Sequence, residues 1–313
     1  MDEPFYIEVS CQQRNFGNER ICGDVFLSRR VSEEQRLIAV LSDGMGHGVK
    51  ANVLATLTAT LAVNFTLEHK DVHDLAEIIM NTLPVCSERD MNYSTFSILD
   101  IEYSGETHIL EYGNPQSIIM RGTEVFEPEW QCILLNSKKN AGKELRYCSF
   151  RPGKEDRIIV CSDGIVQSGT GFTKYPAGWG EGNLKSFVIE MLDANPALSA
   201  RKLSAKIVNR AFLNDNFGAK DDSSCVTFYF REPRKLLICT GPPFEDENDS
   251  TLAERLRQFQ GKKIVCGATT ADIIAREMKV SIRDSYIVED PGLPPVSYMD
   301  GVELVTEGIL TLS

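Results

Sequence analysis

Residues 37–48 read Leu37-Ile38-Ala39-Val40-Leu41-Ser42-Asp43-Gly44-Met45-Gly46-His47-Gly48. The apolar run is strand-like and delivers an aspartate to its end. A glycine-rich turn follows, and then a long apolar-periodic run from Val49 to about Leu67. The order is strand, acidic turn, helix. A carboxylate in such a turn is a hard oxygen donor of the kind Mg²⁺ and Mn²⁺ take. The glycines let the backbone approach a ligand closely, and the start of the helix faces anions.

The pattern recurs. Arg157-Ile158-Ile159-Val160-Cys161 ends in Ser162-Asp163-Gly164, and Lys220-Asp221-Asp222-Ser223 leads into Cys225-Val226-Thr227-Phe228-Tyr229-Phe230. Asp24 follows Cys22-Gly23 and precedes Val25-Phe26-Leu27. Carboxylates thus stand at the edges of separate strand candidates, and a Mg²⁺ or Mn²⁺ site needs oxygens that converge from several elements. Asp-Gly pairs also make ordinary turns. That reading suffices for any one pair and serves poorly for the whole set.

The chain has 313 residues, 42% of them hydrophobic and 25% charged, which describes an ordinary globular protein of two domains or one large one. Its net charge is −12. That argues against non-specific nucleic-acid binding, which depends on Lys and Arg. No apolar run reaches the roughly 18 residues of a membrane span. The start, Met1-Asp2-Glu3-Pro4, is acidic where a secretory signal is basic. A cytoplasmic protein, not membrane-bound, is expected. The nine cysteines are scattered, several inside apolar runs, and read as reduced packing residues. No cysteine pair has zinc-ligand spacing.

Alternation of Phe5, Ile7, Val9 and Cys11 predicts a first strand, with a polar loop from Arg14 to Arg20. Val49, Val53, Leu57, Leu61 and Phe65 are expected to form the core-facing stripe of the helix after Asp43. A second helix is expected over 72–82, and strands in a meander over 94–135. The glycine-rich segment 166–183 is expected as a mobile loop, with helices near 183–193 and 198–213 and a last strand at 225–230. Strands, helices, strands and helices in that order predict α+β layering with antiparallel sheets. Glu232-Pro233 is a plausible boundary. Beyond it, β and α segments alternate, so 1–232 is expected as the main domain and 233–313 as a small α/β accessory module.

Cys22-Gly23-Asp24, Ser42 to Gly48, Tyr112-Gly113-Asn114-Pro115, Ser162-Asp163-Gly164 and Lys220-Asp221-Asp222 occur in that order. In this the chain resembles the SpoIIE-type branch of the PP2C (PPM) metal-dependent Ser/Thr protein phosphatases, over about residues 5–231. The resemblance implies an α-β-β-α sandwich of two antiparallel sheets flanked by helices, with two Mn²⁺ or Mg²⁺ ions at one end. It implies that Asp43 bridges both ions, that Asp163 and Asp221 complete one site, and that Asp24 and the Gly44 carbonyl serve the other. Asp222 is expected to act behind Asp221, with an exchange of their roles left open. The implied reaction is hydrolysis of phosphoserine or phosphothreonine by metal-activated water, on a phosphorylated protein such as an anti-sigma antagonist. Met45 stands next to Gly44 where animal-type relatives carry a histidine, so the general acid is unassigned. His47 is a candidate acid or neighbour of the phosphate, with helix entry as its plainer role, and Arg14 is a candidate phosphate contact. A catalytically silent scaffold and a small-molecule phosphoesterase are the alternatives.

Overall fold

The computed structural model describes residues 5–68, 71–83, 85–86, 91–92, 94–103, 105–285 and 296–307. Residues 1–4, which carry the reading of an acidic start, lie outside them. The chain divides into two compact units, Met1–Glu232 and Pro233–Ser313.

In the first unit, two antiparallel sheets lie face to face. The five-stranded sheet runs in spatial order Tyr6–Arg14, Ser223–Arg231, Asp156–Cys161, Ile118–Arg121, Glu124–Phe126. The six-stranded sheet runs Gln131–Leu134, Glu144–Phe150, Thr107–Tyr112, Ser94–Glu102, Arg36–Gly44, Val25–Val31. Side chains on a strand alternate between its two faces. In Arg36–Gly44 this sends Leu37, Ala39 and Leu41 into the core between the sheets, and Ile38 and Val40 into the helix layer outside. The run is continuously apolar because both of its faces are buried. In the first strand Ile7 enters the same inter-sheet core, and Phe5, Val9 and Cys11 pack against it.

Helices Gly48–Leu67 and Val72–Thr82 cover the outer face of the six-stranded sheet. Helices Gly180–Ala194 and Ala200–Asn214, with the single turn Asp163–Val166, cover that of the five-stranded sheet. The layering is α-β-β-α.

The first helix corrects one expectation. Val49, Val53 and Leu57 are 63%, 60% and 44% exposed, whereas Leu61 and Phe65 are half-buried and pack against the core as expected. The buried face consists of Gly48, Ala51, Ala55, Thr58, Ala59, Ala62, Val63 and Thr66. A step of four residues turns about 400°, so a stripe spaced only by fours drifts around the helix, whereas the alanine set mixes steps of three and four and stays on one side. Small side chains also let the helix axis lie close to the sheet. The glycine-rich segment is a second difference. It is pinned: the Trp179 amide donates to the Ser168 carbonyl at 2.8 Å, the Gly169 amide donates to Asp215 Oδ1 at 2.7 Å, and Trp179 is 2% exposed.

The second unit holds a five-stranded mixed sheet in the order Leu236–Thr240, Lys262–Cys266, Val302–Thr306, Val296–Met299, Ile282–Asp284. The first three strands are parallel and the last two join antiparallel. Helices Asp249–Gln258 and Ala268–Met278 pack on it through Leu256, Ala271 and Ile274 against Cys239, Val265 and Val305.

The burial pattern of the first helix makes a direct prediction. Ala59→Leu overpacks a fully buried site and should lower unfolding stability by about 1–3 kcal/mol. Val53→Lys should stay within about 0.5 kcal/mol of the parent. Chemical denaturation of both variants checks this, and a core-facing valine stripe would reverse the order.

Candidate metal centre

Three of the acidic turns open onto one cleft of about 390 Å³ at an end of the sandwich, lined by Asp43, Gly44, Met45, Gly46 and His47 from the first, Asp163 from the second, and Lys220 and Asp221 from the third. Phe16, Ser94 and Thr95 complete the wall. Asp24 does not line the cleft; it is 2% exposed and lies close enough to oppose ionisation of Asp43.

The glycines beside these aspartates are there for close approach. Gly23, Gly44 and Gly164 are absent from the positive-φ residues of the chain, so no left-handed turn demands them. A Cβ on Gly44 would sit 2.1 Å from the Ala51 carbonyl oxygen, and one on Gly164 would sit 2.1 Å from that of Asp222. One on Gly23 would meet Asp222 Oδ2 at 2.7 Å. Each glycine therefore lets one turn press against the next element, which brings the carboxylates together.

Their convergence shows in the acid–base behaviour. Burial, then the charges of Asp24 and Asp163, push the Asp43 carboxyl up to about 10. Burial pushes Asp24 up to about 7, against the opposing hydrogen bonds of Ser224 and Ser162. Burial and then Asp163 raise Asp221 to about 6. Ser224 Oγ donates to Asp24 Oδ2 at 2.6 Å, and Gln13 Nε2 donates to the Asp24 carbonyl at 3.1 Å. Asp24 Oδ1 is buried with no hydrogen-bond partner. Gln167 Nε2 donates to Asp163 Oδ2 at 2.8 Å.

Asp221 faces the cleft, and Asp222 is turned away from it. Asp222 is 2% exposed, its Oδ1 accepts from the Phe16 amide at 2.9 Å, and its Oδ2 has no partner. His47 is the N-cap residue of the helix Gly48–Leu67 and makes no side-chain capping bond. It lines the cleft, meets Glu19 Oε1 through Nδ1 at 3.0 Å, and stacks on Phe16 with ring centroids 4.4 Å apart. Arg14 stands elsewhere, with its guanidinium 3.9 Å over the Phe212 ring. Burial raises the Cys22 thiol well above its ordinary range, which leaves it protonated and a poor nucleophile.

Among the described residues, no group of three or more His, Cys, Asp or Glu side chains forms a ready-made metal cage. The donor set suits a more open arrangement. All the candidates are hard oxygens, Mg²⁺ characteristically keeps several waters, and a buried unpartnered oxygen on Asp24 together with mutually opposed carboxylates is a site short of positive charge. The residues fit a divalent ion.

Sequence reading overlooked several members of this site. Lys220 donates to the Thr170 carbonyl at 2.6 Å and lies 3.9 Å from the Phe172 ring centroid, which ties the third turn to the glycine-rich segment. Its position next to Asp221 was the available signal. Ser94 and Thr95 carry no motif. They enter because strand register pairs them with Gly44 and Asp43.

The family described as Stage II sporulation protein E (SpoIIE) matches residues 33–231. Among solved structures, the phosphatase domain of the cell fate determinant SpoIIE from Bacillus subtilis is 16% identical with a TM-score of 0.55, covering 78% of this chain and 98% of that one. The RsbU and RsbW domains of a Mycobacterium tuberculosis protein are 16% identical with a TM-score of 0.55, covering 82% and 70%. The SiaA PP2C domain of Pseudomonas aeruginosa is 12% identical with a TM-score of 0.51, covering 70% and 85%. At such identities the likeness to these structures concerns the fold. No curated protein matches the sequence significantly.

The raised carboxyls set the sign of a pH effect. An ordinary unfolded aspartate loses its proton near pH 4, whereas folded Asp24 holds it to about 7. Between those values the folded state binds more protons, so metal-free stability should fall as pH rises from 4 to 7. Asp24→Asn should flatten that fall and raise the metal-free Tm at pH 8, by about 2–4 °C for each kcal/mol relieved. Thermal scans in chelator from pH 5 to 8 read this out, and a Tm lower than that of the parent at pH 8 would contradict it.

Proposed function

The chain belongs to the SpoIIE-type branch of the PP2C phosphatases, and on that premise we propose that it removes phosphate from phosphoserine or phosphothreonine of a partner protein with the help of two divalent ions, Mn²⁺ or Mg²⁺. The observation that carries this reading is the meeting of Asp43, Asp163 and Asp221 in one cleft with Asp24 close behind. Asp43 would be shared by both ions. Asp163 and Asp221 would complete one site, and Asp24 with the Gly44 carbonyl the other.

Bound there, divalent ions supply a water of lowered pKa and positive charge to offset that of the transferring phosphoryl oxygens. The protein's own groups prepare that chemistry. Asp43 sits at the end of a strand locked on both edges, by Val25–Val31 and by Ser94–Glu102, so its carboxylate is placed by the sheet and not by a free loop. Ser224 holds one oxygen of Asp24 and leaves the other free to ligate. Lys220 adds a cation beside the acidic turn. With Cys22 kept as a thiol, direct attack by water is the simpler route, and no covalent phosphoenzyme is needed.

A cleft of about 390 Å³ open at the end of a sandwich suits a phosphorylated side chain presented by a protein, such as an anti-sigma antagonist, better than it suits a fully enclosed metabolite. No helix among the described residues is long and apolar enough to cross a membrane. A catalytically silent relative would be expected to have lost some of the acidic residues, and all of them are present.

The purified chain should hydrolyse a phosphothreonine peptide with Mn²⁺ and lose that activity in chelator. Asp43→Asn should reduce turnover by more than the roughly 10–100-fold that follows loss of a supporting hydrogen bond behind a metal ligand. Turnover that survives chelation, or that tolerates this substitution, would refute the reading.

A further inference from the structure

Tyr112-Gly113-Asn114-Pro115 lies outside the cleft, and the chemistry above makes no use of it. Asn114 is nonetheless 2% exposed and its polar atoms are fully engaged. Its Nδ2 donates to the Leu41 carbonyl at 3.4 Å and to Ser97 Oγ at 3.1 Å. Its Oδ1 accepts from Thr95 Oγ1 at 2.5 Å. Leu41 and Ser97 are register partners, and so are Asp43 and Thr95. One side-chain amide therefore spans from the Leu41–Ser97 pair to the Asp43–Thr95 pair, next to the end of the two strands at the cleft.

Strand ends fray unless something holds them, and Asp43-Gly44 is such an end. Thr95 is held from two further directions. Gly113, at φ +77°, packs so closely that a Cβ there would lie 2.4 Å from Thr95 Cγ2, and Ser42 Oγ donates to the Thr95 carbonyl at 3.1 Å. Behind Asn114, Arg146 donates to its backbone carbonyl and pairs with buried Glu111 at 3.3 Å, and Ser117 Oγ donates to Glu111 at 2.6 Å. A continuous polar chain runs from Ser117 through Glu111, Arg146 and Asn114 to Thr95, which lines the cleft opposite Asp43.

We propose that Asn114 is a positioning residue for the Asp43 carboxylate, acting through Thr95 and the clamped strand end and not by touching metal or substrate. The inference rests on the reading of Asp43 as a metal ligand. Losses of comparable hydrogen bonds behind metal ligands weaken metal binding about 10–100-fold.

The test uses the full chain, with Asn114→Ala and the gentler Thr95→Val, which removes one hydroxyl link and keeps a β-branched strand residue. Binding of Mn²⁺ is followed by the electron-paramagnetic-resonance signal of the free ion, and hydrogen exchange is followed in chelator. Asn114→Ala should weaken Mn²⁺ binding about tenfold or more. It should speed exchange of the amides of 42–44 and 95–97, with the five-stranded sheet unchanged. Thr95→Val should move both readouts the same way by a smaller factor. Unchanged exchange at the strand end overturns the clamp. Faster exchange with unaltered Mn²⁺ affinity reduces Asn114 to a structural residue and overturns the positioning role. A parent chain that binds no Mn²⁺ would sink the phosphatase reading instead, and the exchange arm, which needs no metal, would still decide the clamp.

Discussion

The gathering of carboxylates into a partly buried site is the constraint around which the first unit is organised: burial first, and then neighbouring charge, raises Asp24, Asp43 and Asp221. Asp24, Asp43, Asp163 and Asp221 come from different strand ends; Asp24, Asp163 and Asp221 raise the proton affinity of Asp43, and Asp163 raises that of Asp24 and Asp221. Bringing such groups together opposes folding, so the surrounding structure must supply the offset. It does so with two sheets whose facing sides enclose an apolar core, and with helices that bury the outer side of each sheet. The carboxylates sit at the end of this sandwich, where strands stop and the apolar layers no longer exclude water.

Close packing at that end is achieved with small residues. Gly23, Gly44 and Gly164 leave no room for a Cβ, and Ala51 on the first helix is the surface that Gly44 and Gly23 press against. The same logic explains why the first turns of that helix bury Gly48, Ala51 and Ala55 and leave Val49, Val53 and Leu57 outside. Leucine or valine at Ala51 or Ala55 would hold this end of the helix farther from the sheet, and the turn carrying Asp43 farther from Asp24. Packing density, local backbone geometry and site electrostatics are thus set by one group of residues.

Polar groups complete the arrangement. Ser224 and Gln13 brace Asp24, Gln167 braces Asp163, and Asn114 bridges the strand that carries Asp43 to its neighbour. Ser224 and Asn114 lie far from their targets in sequence. The second unit, which begins after Glu232 and lies beyond the matched residues 33–231, uses a different architecture, with parallel strands and crossover helices. Its composition changes accordingly, from long alternating strands to short β and α segments.

The sequence by itself determined the layered α+β class, the helix at 72–82, most strand positions and the identity of the acidic turns, because local periodicity and turn chemistry act over a few residues. It also marked Asp24, Asp43, Asp163 and Asp221 as belonging together, since each stands at the edge of a strand-like run. Tertiary structure decided which face of the first helix is buried, because a stripe of large side chains competes with the closer approach that alanines allow. It decided that Asp221 faces the cleft while Asp222 turns toward Phe16 and Gly23, a choice between adjacent residues that alternation permits and only the neighbouring elements settle. It also brought Thr95 and Lys220 to the site and Asn114 behind it, through strand register and packing across segments that no local pattern connects.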